Sequence, residues 1–157
     1  MLLTEYLQDF TKAIDEYSET GYIITSELKI DARTEKIGLI KANIIFNDDS
    51  KLFVTEYIDL RYKFEKLTYS FHYQDKDGHL VFRYDNAVHR PILSFQNHKH
   101  FKGVINQSDI PELRNVLEEI ISNFIRTTHY CPVKIERPEG VPPLSFSVYR
   151  ASGSGYQ

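Results

Sequence analysis

The sequence has no tryptophan, one cysteine, one methionine and no excess of positive charge. A lone Cys131 rules out an intrachain disulfide and a cysteine-rich zinc site. A formal net charge of −3 argues against a general basic coat, so any nucleic-acid contact has to be local. No apolar run approaches the roughly 20 residues that span a bilayer. The start, MLLTEYLQDF, carries acidic residues where a signal peptide needs a basic region. A cytoplasmic location without a membrane partner is therefore expected. Walker-type glycine loops and Rossmann fingerprints are absent too, which argues against nucleotide binding by those devices. What is present is an ordinary mixture of 41% hydrophobic and 26% charged residues over 157 positions, with 11 Tyr and 10 Phe supplying the aromatic core. That length fits one domain.

Periodicity gives the order of elements. Leu3, Tyr6, Leu7, Phe10, Ile14 and Tyr17 recur at three- and four-residue steps, predicting a helix that ends near Gly21. From Tyr22 the period changes to two. Tyr22, Ile24, Leu28 and Ile30 form one apolar row, Ile40, Ala42, Ile44 and Phe46 a second, and Leu52, Val54, Ile58 and Leu60 a third. Glu56 falls in that third row, where a buried carboxylate needs a partner or a raised pKa. It is either paired inside a site or placed at the open end of the sheet. A hairpin follows from Leu67 to Asp85, then an irregular stretch through Asn86 to Pro91.

A second helix is predicted from Ser108 or Asp109, with Glu112 in capping-box spacing and a stripe from Ile110 to Ile125. The fold class is α+β: an antiparallel meander of about five strands covered by two helices, with a Pro-rich C-terminal extension. A single α+β domain is expected over residues 1–130. Residues 131–157 form the extension, in which Leu144 to Tyr149 reads as an edge strand and SGSGYQ as flexible.

Chemistry concentrates between His72 and Lys102. Five of the six histidines lie there, with five basic residues against three acidic ones, while the remainder holds 14 basic and 19 acidic residues. Tyr69, Phe71 and Tyr73 alternate with His72, and Leu80, Phe82 and Tyr84 with Arg83 and Asp85. A two-residue loop at Asp77-Gly78 pairs His72 with Arg83, and a four-residue loop leaves them diagonal; either way they share a face, with Asp85 beside them. In an extended Asn97-His98-Lys99-His100, His98 and His100 project from one face and Lys99 from the other.

The run YSFHYQDKDGHLVFRYDNAVHRP followed by FQNHKH, with VTEYIDL before it, resembles the TumE-like toxins, small toxin components of bacterial and archaeal toxin–antitoxin pairs. The likeness extends from about Tyr22 to Ile125. His72, Arg83, Tyr84, Asp85, His89, His98 and His100 stand as in the family pattern. Val88 replaces a Pro, and Arg90 and Asn97 replace histidines. The resemblance implies a toxin neutralised by a cognate antitoxin, typically a helix-turn-helix protein.

The residues themselves admit four chemistries. In a metal-independent ribonuclease, His98 or His100 and His72 or His89 are the proton-transfer pair, and Glu56 or Asp85 orients an imidazole. Arg83, Lys99 and Lys102 then hold phosphate. In a divalent-metal site Asp85, His89, His98 and His100 are the ligands, or Glu56 with some of them, and Zn²⁺ or Mn²⁺ would suit them. A non-catalytic module would dock on RNA or on a protein through its cationic face. Nucleotidyl or phosphoryl transfer to a target is the fourth. His79 beside the turn glycine is expected to be inert, and His129 and Cys131 structural.

Overall fold

The computed structural model describes residues 1–125 and the strand Phe146–Tyr149. The sequence expectations for His129, Cys131 and the remainder of the extension lie outside the described residues. Helix α1 (Leu3–Glu19) opens with the Leu2 N–H donating to the Glu5 carboxylate at 2.6 Å, and Gly21 leaves it at φ 81°. It is followed by strands β1 (Ile23–Ala32), β2 (Ile37–Phe46), β3 (Lys51–Asp59), β4 (Glu65–Gln74), β5 (Leu80–Asp85), β6 (His98–Phe101) and β7 (Val104–Gln107). Helix α2 (Leu113–Ile120) runs into one π-helical turn, Ile121–Ile125, and β8 (Phe146–Tyr149) completes the described chain.

The eight strands make one sheet in the order β7-β6-β5-β4-β3-β2-β1-β8. Seven of them form an antiparallel meander rather than the five expected, and β8 lies parallel to β1 at the far edge. The two extra meander strands, β6 and β7, are four residues each, too short for a strong alternation signal. Lys102 at φ 50° and Gly103 at φ 75° join them in a two-residue turn whose twist suits a hairpin.

Both helices cover one face of the sheet. The rows Ile40–Phe46 and Leu52–Leu60 are buried there, as are Tyr69, Phe71, Tyr73, Phe82, and Leu113, Val116, Leu117 and Ile120 of α2. At roughly 1.5–3 kcal/mol for each fully buried large apolar side chain, this single layer is the main source of stability.

Irregularities correct three expectations. A bulge between Ile23 and Thr25 buries Ile23 and leaves Ile24 59% exposed, so Ile24 leaves the apolar row. Helix α2 starts at Leu113 with Glu112 as its N-cap, because Pro111 disfavours helical backbone at Ile110. Between β4 and β5 the Asp75 N–H donates to the His79 carbonyl at 3.0 Å and encloses a three-residue turn, Lys76-Asp77-Gly78, with Gly78 at φ 86°. The Asp75 carboxylate accepts the N–H groups of Asp77 and His79, and a bulge after Tyr73 restores the pairing of His72 with Arg83.

Candidate functional site

The sheet face turned away from the helices carries His72, His98 and His100. Asp85 on β5 pairs with His98 on β6, and Arg83 with His100, so strand register alone sets these four side chains in a square. The segment between β5 and β6 then returns over the square and adds His89. Its Nε2 lies 2.8 Å from His98 Nε2. His98 Nε2 is also 3.0 Å from Asp85 Oδ1, and His100 Nε2 is 3.4 Å from Asp85 Oδ2. Ligand atoms of Asp85, His89, His98 and His100 all lie within 4.8 Å of one another.

Each member is held by neighbours. His98 is fully buried, and its Nδ1 is 2.7 Å from the Gln96 carbonyl. A carbonyl only accepts, so Nδ1 carries a hydrogen and Nε2 is the atom turned to the cluster. Asp85 Oδ2 accepts from Arg83 Nε at 2.5 Å and Oδ1 from the Ala87 N–H at 3.0 Å. Burial alone would raise the Asp85 carboxyl, but these donors outweigh it and hold the group below the ordinary carboxylate range. Arg83 also reaches His100, Nη2 to Nε2 at 3.1 Å. Burial first, then the Arg83 charge, pushes the His100 imidazole below its usual pKa, which keeps it neutral near pH 7.

His72 sits directly opposite Arg83 on this face, one strand from the cluster, with its ring edge-on to Phe53 at 6.2 Å between centroids. Burial and Arg83 lower its pKa as well.

Three residues expected in the site are not brought to it. Glu56 lies on the helix-covered face, where it accepts from Lys66 Nζ and from the Tyr6 hydroxyl, both at 2.6 Å. It cannot orient an imidazole across the sheet. Lys99 is on that face too, ion-paired with Glu119 of α2 and stacked over Phe82, Tyr84 and Phe101. Lys102 stands at the β6–β7 turn, 5.2 Å above the Phe101 ring. Of the three phosphate candidates, Arg83 alone joins the histidines.

Three supporting residues were missed. Gln96 fixes the His98 tautomer through its backbone, which no side-chain pattern signals. Asn86 and Asn97 fasten the two ends of the returning segment: Asn86 bonds the Tyr69 N–H and the Leu67 carbonyl, and Asn97 accepts from the Tyr69 hydroxyl at 3.2 Å. Their one sequence signal is position, at the exits from β5 and into β6.

Two cavities, of about 350 and 550 Å³, share Phe64 and Glu112 in their linings and include none of the four clustered residues. His98 and Asp85 are buried beneath the returning segment, and the cluster meets solvent at His89 and His100, which are half-buried. Over residues 10–128 the chain matches the Toxin TumE family. It belongs to that family. No curated protein and no solved structure matches it significantly. No helix among the described residues is long and apolar enough to cross a membrane.

Proposed function

We propose that this TumE-family chain is the toxin of a toxin–antitoxin pair and that it cleaves RNA at the Asp85–His98 centre. A cognate antitoxin, of the helix-turn-helix type that the family resemblance implies, is its partner. The observation that carries the ribonuclease reading is the convergence of three imidazoles, one carboxylate and one guanidinium on the sheet face opposite the helices. Cleaving RNA through its own 2′-hydroxyl needs a base, an acid and a cation beside the phosphate.

Among the histidines His98 is sealed, so His89 and His100 are the imidazoles that face substrate. His100, neutral near pH 7, accepts the 2′-hydroxyl proton at Nε2 as the 2′-oxygen attacks phosphorus, once the Arg83 N–H that Nε2 accepts from here has turned to the phosphate. His89, 2.8 Å from His98 Nε2, donates a proton to the 5′-oxygen as the phosphorus–oxygen bond breaks. Arg83 turns one guanidinium edge to the phosphorane oxygens, where charge builds up. No metal ion is required for this sequence of steps.

A second reading, hydrolysis assisted by a divalent ion, is favoured by the close approach of the four ligand atoms. The test incubates purified protein and a His98→Ala/His100→Ala variant with labelled RNA, with and without EDTA. Cleavage that survives EDTA and vanishes in the variant is expected. Loss with EDTA selects the second reading, and intact RNA in every lane, with toxicity retained in cells, overturns both.

A further inference from the structure

We infer that Asp85, His89 and His98 bind one divalent transition-metal ion of the zinc class, with His100 beside its fourth position. This rests on the residue cluster described above and not on RNA being the substrate. The contacts at His98 carry it. With the hydrogen of Nδ1 committed to the Gln96 carbonyl, Nε2 brings its lone pair toward Asp85 Oδ1 at 3.0 Å, which carries electron pairs only, and toward His89 Nε2 at 2.8 Å, which carries one in its Nδ1–H tautomer. Three lone-pair carriers at such separations repel unless a positive centre sits among them. That centre is a shared proton or a metal ion.

The donor chemistry suits the ion, and the spacing is close to what it needs. Nitrogen and oxygen ligands about 2.0–2.2 Å from one tetrahedral zinc ion stand roughly 3.3–3.6 Å apart, so the 3.0 Å and 2.8 Å contacts of His98 Nε2 have to open by a few tenths of an ångström to admit the ion. Two imidazoles and a carboxylate make a borderline donor set that suits Zn²⁺ rather than Mg²⁺ or Ca²⁺, which take oxygen.

Outer contacts of the kind that orient metal ligands are already in place. The Gln96 carbonyl pins His98, and the Ala87 N–H and Arg83 pin Asp85. His100 is the least committed to an ion, because its Nε2 accepts from Arg83. Three protein ligands with a fourth position open is the arrangement of reactive zinc sites rather than structural ones. The ion would stand where the shared proton does, and in RNA cleavage it would take up charge on the leaving oxygen in place of the His89 proton.

The test uses the full chain stripped with EDTA, titrated with Zn²⁺ by calorimetry, and with Co²⁺ followed by visible absorption. One equivalent should bind, with the absorption of a nitrogen- and oxygen-ligated cobalt centre, and should raise the melting temperature. His89→Ala, altered in a half-buried segment outside the strands, should keep the metal-free melting temperature and lose at least roughly 100-fold in affinity. His79→Ala should bind like the parent, because the other acidic and histidine group, Asp75, Asp77 and His79, is an exposed hairpin. Absence of stoichiometric binding by folded protein, or binding undiminished in His89→Ala, overturns the site. RNA cleavage separates the two proposals: cleavage by protein that binds no ion sinks the ion alone, and binding without cleavage sinks the ribonuclease reading alone.

Discussion

Glu56 and Asp85 are the two most deeply buried carboxylates among the described residues of the sheet, and their surroundings are opposite. Glu56, on the helix face, is met by one ammonium and one phenol, both of them donors, and Lys66 spends a further proton on the Pro111 carbonyl at 2.9 Å. Burial, and after it the Glu56 charge, raises the Tyr6 hydroxyl far above its usual pKa, so it stays a donor. Asp85, on the open face, is met by one guanidinium and by imidazoles whose lone pairs compete for a single positive centre. The first group is closed and satisfied, and its work is to tie α1, β3, β4 and the approach to α2 together. The second is complete only with something added to it, a proton in flight or an ion. Burial of a charged group therefore does not mark a site in this fold. An incomplete donor–acceptor match does.

The strongest way to test that contrast is to break the closed group. In Lys66→Met, Glu56 keeps only the Tyr6 hydroxyl, and a buried charge stripped of its partner costs about 3–5 kcal/mol. Urea denaturation should show that loss, and a Glu56→Leu/Lys66→Met double variant should recover most of it. RNA cleavage per folded molecule should be unchanged in both, since the histidines lie across the sheet. A cost near zero in the single variant would show that water reaches Glu56 and that the two groups are not opposites.

Next in size is Arg83→Lys. An ammonium cannot reach both Asp85 and His100 as the forked guanidinium does, nor offer a planar edge to phosphate. Loss of one such donor at a developing charge costs roughly 10²–10³ in kcat. Stability should move little, because the Arg83 side chain is one-third exposed. A variant with full cleavage would remove Arg83 from the chemistry and leave it only as support for Asp85.

How much of this was legible in the sequence follows from where parity holds. Arg83 with Asp85, and His98 with His100, share a face because strands alternate, and Lys99 opposes them for the same reason. Lys66 was unreadable: counted back from Tyr69 it belongs to the open face, and the register shift between Tyr57 and Ile58 turns it to the core beside Glu56. Ile24 was misplaced by the same mechanism. The pairing of β6 with β5 and the return of His89 over it depend on a 12-residue connection, residues 86–97, without periodicity, so the individual residues could be named but their meeting could not.

The smallest effect sharpens the contrast on the open face itself. His72 neighbours Arg83 yet makes no part of the cluster, so it should bear on stability and hardly on cleavage. Its folded pKa lies below the unfolded value of about 6.5, through burial and then through Arg83. Between those two values the unfolded chain binds more protons than the folded one. The stabilisation from keeping His72 neutral is therefore fully present above pH 6.5 and is lost as the pH falls toward the folded pKa. His100 shifts in the same direction, so wild-type stability should fall across this window for two reasons. His72→Gln removes one of them and should flatten, without abolishing, the fall in urea midpoint between pH 7.5 and pH 5.5. Parallel curves for the two proteins would mean that His72 meets no more burial or positive charge in the folded state than in the unfolded chain. A large loss of cleavage at pH 7.5 would instead extend the reactive centre one strand further, to β4.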